Sequence, residues 1–197
     1  MYRRARQLGA ACLTAQGTVR GMPALLTPRL LLLPLTRAVL ARRLETDTFT
    51  LPLDGPDGPL DVRFGPQWPG DPLPVFPVLL ATLTGQQGEV AGSFIAVQRD
   101  TGEAVGMLGT KGPPSPDGAQ EIGYGLGPAV WGQGLATEAV GALVAHLHAG
   151  PDVRTVTAQT VVDNPASARV LSKLGFRQVG RGHSEEDGPL SLWAHTP

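Results

Sequence analysis

A single cysteine, Cys12, in 197 residues rules out a disulfide within the chain and leaves no cysteine cluster to hold a metal. An excess of one charge is missing too: 16 Lys and Arg face 17 Asp and Glu, a formal net charge of -1. That balance provides neither a basic footprint for nucleic acid nor a polybasic patch for a membrane. No apolar run approaches the roughly 20 residues that span a bilayer. Internal repeats are absent as well. These absences point to a reduced, cytoplasmic protein whose partner is met in a pocket. Length allows one well-buried core.

The opening 21 residues, "MYRRARQLGAACLTAQGTVRG", place small apolar residues after basic ones as a signal peptide does, but Thr14, Gln16 and Gly17 break the run. The expectation is a disordered extension over 1–21, or a chain whose true start is Met22, followed by one domain over 22–197.

What the chain has in quantity is glycine and proline, 26 and 19 residues. Many fall in 46–74, "TDTFTLPLDGPDGPLDVRFGPQWPGDPLP", which reads as a long loop with short turns, the sort of segment that covers a site. Around it the pattern is regular. "RLLLLPLT" is a buried strand over 29–36 whose last residue, Thr36, can cap a helix over 37–45. "VFPVLLATLTG" is a short helix stopped by Gly85. Strands over 93–100 and 103–112 flank a tight "DTGE" turn, and "AQEIGYGLG" over 119–127 extends the meander. A helix from 135 to about 149, a strand over 154–163, a helix over 165–176 and two last strands complete the order β-α-α-β-β-β-α-β-α-β-β. The crossover through the 135–149 helix requires the strands before and after it to lie side by side and parallel.

Ala136, Ala139, Val140, Leu143, Val144 and Leu147 recur at helical spacing and give that helix one apolar face. Just before it, "WGQGLA" removes side chains at Gly132 and Gly134, where the first backbone N–H groups of a helix have no internal acceptor. Such an end takes an anion, most often a phosphate, although a simple strand-to-helix connector explains the same glycines. The phosphate loop G-x-x-x-x-G-K-[ST] is absent, and so are the strict G-x-G-x-x-G and its alternating βαβ units.

Taken with "DNPASARVLSKLGF" one strand further on, "EIGYGL" and "WGQGLATEA" resemble the GNAT superfamily of acetyl-coenzyme A dependent N-acetyltransferases. With "LTPRLLLLPLT" near the start, they are most similar to its RimJ/RimL branch, which acetylates the N-termini of ribosomal proteins. The resemblance implies an α+β fold of three layers: a mixed, mostly antiparallel sheet with a central parallel, splayed strand pair and helices on both faces. It implies acetyl-CoA as cosubstrate and no metal.

Residue by residue, the resemblance lays the superfamily's pyrophosphate turn on Trp131, Gly132, Gln133, Gly134, Leu135 and Ala136, with Trp131 departing from the usual Gln or Arg. Backbone amides bind the anion whatever side chain precedes them. Gln133 and Thr137 are candidate side-chain donors, or else ordinary residues of a helix start. The strand ending Tyr124-Gly125-Leu126-Gly127 would splay and expose backbone groups to the pantetheine arm, with an amide near Leu126 polarising the thioester carbonyl. Asn164 matches the asparagine that touches that arm and is equally a good helix cap before Pro165.

The family's usual acid, a tyrosine, is replaced by Leu171. Ser167 matches the serine that substitutes for it in the RimJ/RimL branch, and a capping duty is its plainer role. Glu121 is the candidate base, expected in low-dielectric surroundings, against the reading of a rim carboxylate. Trp68, Asp71 and Tyr124 are candidates for the acceptor site, although a structural Trp under the long loop explains the Trp68 pattern almost as well. His146 and His148 read as surface cations at a helix end, and His183 as part of a turn.

The expected activity is transfer of acetyl from acetyl-CoA to a primary amine, either a protein N-terminus or a small molecule. The alternative is a non-catalytic acyl-CoA sensor, suggested by Leu171. The partners expected are the acceptor and, as an open alternative to a monomer, a second copy of the chain; nucleic acid and membranes are not among them.

Overall fold

A computed structural model describes residues 22–70, 72–83 and 88–197. The calls on 1–21, Asp71 and Gly85 lie outside the described residues. Among the described residues ten strands form one sheet, in the spatial order β1 (Leu25–Leu26), β2 (Leu30–Thr36), β5 (Glu89–Gln98), β6 (Glu103–Thr110), β7 (Ala119–Leu126), β8 (Thr155–Val161), β10 (Gly188–His195) and β9 (Arg177–Ser184), with β3 (Phe49–Gly55) paired to β4 (Gly58–Phe64) and β4 to β6.

The chain enters through β1 (Leu25–Leu26) and β2 (Leu30–Thr36). Thr36 Oγ1 accepts the N–H of Val39 at 3.4 Å and starts α1 (Arg37–Glu45), as its position before an apolar-periodic run suggests. After the segment discussed below, α2 (Phe76–Thr82) leads to the antiparallel meander β5 (Glu89–Gln98), β6 (Glu103–Thr110) and β7 (Ala119–Leu126). Then follow α3 (Leu135–Ala149), β8 (Thr155–Val161), α4 (Pro165–Lys173), β9 (Arg177–Ser184) and β10 (Gly188–His195). As the crossover requires, β7 and β8 are parallel neighbours, paired from Ala119↔Thr155 to Ile122↔Ala158.

The stretch expected as a loop over 46–74 is corrected in its first two thirds. It folds as a hairpin, β3 (Phe49–Gly55) and β4 (Gly58–Phe64), in register from Phe49↔Phe64 to Gly55↔Gly58. Beneath the prolines runs an alternation: Phe49, Leu53, Val62 and Phe64 are buried with Leu51 and Leu60 packed beside them, while Thr50, Pro52, Asp61 and Arg63 are exposed. Pro52 lies on β3, which has no neighbour on its other side, so its missing donor breaks no ladder.

Alternation along β2 and β5 splits the apolar side chains between two cores. Leu30, Leu32, Phe94 and Ala96 join Leu108, Ile122 and Val156 under α3 and α4. Leu31, Leu33, Leu35, Ile95 and Val97 pack on the opposite face with α1, α2 and the hairpin. Helices therefore cover both faces of the sheet.

Candidate active site

Pairing between β7 and β8 stops at Ile122↔Ala158, yet both strands run on, β7 to Leu126 and β8 to Val161. Beyond that point β7 is bonded only to β6 and β8 only to β10, so the two strands part and each leaves one row of backbone groups facing the gap. The gap opens into a cleft of about 1170 Å³. Gly123, Gly125, Leu126, Gln159, Asn164 and Ser167 are among its lining residues.

At the far end of β7 the chain reaches the glycine turn. Gly132 and Gly134 have φ of +76° and +78°, the left-handed region that only glycine enters cheaply. Gly134 is the N-cap of α3 and no side chain caps it, so the amides of the first helical turn have no partner within the helix. Leu135 is 2% exposed and Ala136 half-buried, which leaves their backbone, not their side chains, to meet a ligand. Thr137 is half-buried and makes no capping bond. Gln133 is exposed, with Nε2 donating to the carbonyl of Ala129 at 3.3 Å. Trp131 is 70% exposed, and its indole N–H donates to the carbonyl of Leu126 at 2.6 Å. The indole thus ties the turn to the end of the splayed strand.

Across the gap, Asn164 Oδ1 accepts the N–H of Ser167 at 3.0 Å and caps α4, while Asn164 also lines the cleft. Ser167 Oγ donates to the phenolic oxygen of Tyr124 at 2.7 Å, and the Tyr124 hydroxyl donates to the Ser167 carbonyl at 3.1 Å. This pair bridges β7 and α4 at the mouth of the splay, and both residues line the cleft. Burial pushes the Tyr124 phenol up, against a smaller lowering by the Ser167 hydrogen bond, so the neutral, proton-bearing form is favoured. Leu171, one turn further along α4, is fully buried in the core beneath.

Glu121 is not in low-dielectric surroundings. Its side chain is 28% exposed, ion-paired with Lys111 Nζ at 2.8 Å and reached by Gln159 Nε2 at 3.4 Å. Lys111 and Gln159 line the cleft, which places Glu121 at the rim. Trp68 lines the cleft but is only 4% exposed, which leaves little ring for an acceptor to stack on. Its ring stands edge-on to Phe64 and Phe76, and its indole N–H donates to the carbonyl of Gly106 at 3.0 Å. Buried Arg43 holds that segment by donating from Nε to the Trp68 carbonyl at 2.6 Å.

The histidines also differ from expectation. His146 stands edge-on to Phe94, and His148 Nε2 shares a proton with His195 Nδ1 at 2.9 Å, both rings half-buried. Neither ring is free at the surface: His146 packs against Phe94 of β5, and His148 meets His195, the last residue of β10. His183 is exposed but lies on β9, opposite Pro189, rather than in a turn. Lys111, Gln159, Arg29 and Glu138 were not singled out from sequence. Arg29 reaches the glycine turn from over 100 positions away, which no local pattern signals. Among the described residues, no cluster of three or more His, Cys, Asp or Glu is placed to hold a metal, and no helix is long and apolar enough to cross a membrane.

Comparison with known proteins gives a consistent picture. A family described as the acetyltransferase (GNAT) domain matches residues 78–177. The uncharacterized N-acetyltransferase p20 of Bacillus licheniformis is 31% identical over 102 residues, 51% of this chain and 57% of the relative. The chain spans about half the length of the curated relatives it matches. The fold is shared with a GNAT-family acetyltransferase from Bacillus anthracis, with a TM-score of 0.59, 17% identity and coverage of 88% of this chain and 98% of that one. RimL, the ribosomal L7/L12 alpha-N-protein acetyltransferase solved with coenzyme A, aligns at a TM-score of 0.57 and 17% identity, covering 86% and 95%.

Proposed function

The chain belongs to the GNAT acetyltransferase family, and from that premise we propose that it transfers the acetyl group of acetyl-CoA to a primary amine by direct attack on the thioester. The observation that carries this reading is the splayed β7–β8 pair with an uncapped glycine turn at one end and the Tyr124–Ser167 pair across its mouth.

The amides of Gly134, Leu135 and Ala136 would hold the pyrophosphate, with the α3 dipole favouring negative charge. The open rows of β7 and β8 would take the pantetheine arm as a substitute strand, with Asn164 beside it. An N–H near Leu126 would polarise the thioester carbonyl. As the amine nitrogen forms the new C–N bond, the C–S bond breaks and sulfur leaves with its electron pair. Tyr124, kept neutral by burial and hydrogen-bonded to Ser167, would supply that sulfur with a proton. The proton lost by the amine passes to solvent or to Glu121, whose carboxylate stands at the rim. Tyr124 thus offers an acid where Leu171 replaces the expected one, which favours an enzyme over a sensor.

Among acceptors we favour a protein N-terminal α-amine, the RimJ/RimL type of substrate. Glu121 is already engaged by Lys111, so the site has little to strip a proton from a strongly basic amine. At pH 7.5 an α-amine is roughly one third unprotonated, whereas a lysine side chain is about 0.1% unprotonated. The test is isothermal titration of acetyl-CoA, followed by thiol release over a panel of N-terminal peptides, amino acids, polyamines and aminoglycosides. Binding with turnover on unblocked peptides supports the reading. Binding with turnover confined to small amines overturns the acceptor class, and no binding overturns the whole.

A further inference from the structure

The glycine turn is held from outside the cleft. Arg29, the residue before β2, donates from Nη1 to the carbonyl of Gln133 at 2.9 Å and from Nε to Glu138 Oε2 at 2.7 Å. Glu138 stands in the first turn of α3, and its other oxygen accepts the N–H of Arg29 at 2.7 Å and the hydroxyl of Thr27 at 2.6 Å. The 27–29 segment is anchored in turn: Arg99 Nη1 donates to the carbonyls of Thr27 and Pro28, each at 3.0 Å. Thr27 itself is 7% exposed. Burial works against the charge of Glu138, but the bonds from Thr27 and Arg29 outweigh it and keep its carboxyl below the ordinary range. The clamp is therefore a charged, closed network.

A trans peptide is planar, so its C=O and N–H point to opposite sides. Drawing the Gln133 carbonyl toward Arg29 turns the Gly134 N–H away from Arg29. Without the clamp this peptide can swing more readily, because it turns about ψ of Gln133 and φ of Gly134, and Gly134 has no side chain to restrict that φ. We propose that Arg29, clamped by Glu138, is a positioning residue that fixes the Gln133–Gly134 peptide so that the Gly134 N–H addresses the pyrophosphate of coenzyme A. The inference rests on the coenzyme A reading above.

It also reverses what charge alone predicts for Glu138. A carboxylate one turn into an anion-binding helix repels its ligand, and neutralising it would tighten binding. As part of a clamp, its loss instead frees Arg29 and loosens the turn.

The experiment is isothermal titration of coenzyme A and of pantetheine, which lacks the pyrophosphate, into wild type, Glu138→Gln and Arg29→Gln, with thermal melts to establish that each is folded. Both variants should bind coenzyme A about tenfold more weakly, the scale of one lost charge-assisted hydrogen bond. Pantetheine should bind all three proteins equally. Unchanged or tighter coenzyme A binding by Glu138→Gln overturns the clamp, as does an equal loss for pantetheine, which would mark a merely structural role. Failure of the wild type to bind coenzyme A at all would instead overturn the reading on which the clamp rests.

Discussion

Tyr124→Phe separates chemistry from packing at the mouth of the splay. The substitution removes one oxygen and two hydrogen bonds, at 2.7 and 3.1 Å, both to Ser167. At about 0.5–1.5 kcal/mol each, their loss costs about 1–3 kcal/mol of stability. For a chain of this size that lowers Tm by about 2–12 °C. The rest of the ring stays, so the packing of the half-buried side chain is kept. An acid that protonates a leaving thiolate contributes about 10²–10⁴ in rate, or about 3–5 kcal/mol of barrier. The expected result is therefore a folded protein with near-normal affinity for coenzyme A and a kcat at least a hundredfold down, read by thiol release. A donor whose thiol is more acidic than that of coenzyme A needs less protonation, and with it the deficit should shrink. The phenol's raised pKa adds a second readout. A group whose pKa is raised on folding supports the fold below its unfolded value, near 10, and loses that support as pH climbs through the raised value. The alkaline limb of Tm should accordingly be flatter in Tyr124→Phe. A kcat within threefold of wild type, or a deficit identical for both donors, would refute Tyr124 as the acid.

Gly134→Ala forces a side chain into a left-handed conformation at φ +78°, at about 1–2 kcal/mol, so coenzyme A affinity should fall about five- to thirtyfold in titration calorimetry. An unchanged affinity would show that the turn does not need that conformation to bind. Glu121→Gln keeps the side chain's shape but removes the partner of Lys111; if Glu121 receives the amine proton, kcat/KM on an α-amine should fall about a hundredfold, whereas a rim residue changes it less than threefold. Burial first, and the neighbouring His148 second, hold the His195 pKa below its ordinary 6.5. A depressed pKa contributes stability above the unfolded value and loses it as pH falls, so Tm should drop on acidification below about pH 6.5, and His195→Gln should flatten that slope. Equal slopes in scanning calorimetry would sink the argument.

Where sequence and structure agree, the signal was local. Thr36 and Asn164 each cap the helix that begins one residue later, and a side chain bonding three positions on is visible in any short window. The parallel β7–β8 pair followed from one helix crossing between two strands. Disagreement arose where distance in sequence was large or composition misled. The β3–β4 hairpin was masked by its prolines and glycines, although Phe49, Leu53, Val62 and Phe64 carried the alternation all along. The choice between an acceptor wall and a structural role for Trp68 is not visible locally, because nothing near it in sequence reveals Phe64 and Phe76 closing on its ring. His148 meets His195 and Arg29 meets Glu138 across 47 and 109 positions, contacts that only the completed fold creates.

The division of the apolar side chains between two faces of one sheet has a bearing on how such a chain changes over time. The turn, α3 and α4 are rooted in one core; the hairpin, α2 and the Trp68 segment are rooted in the other. On the function proposed above, a repacked hairpin would reshape the cleft wall facing the amine while the coenzyme side kept its own footing. The sheet acts as a bulkhead, and a library confined to residues 46–74 is where a new acceptor would be sought first.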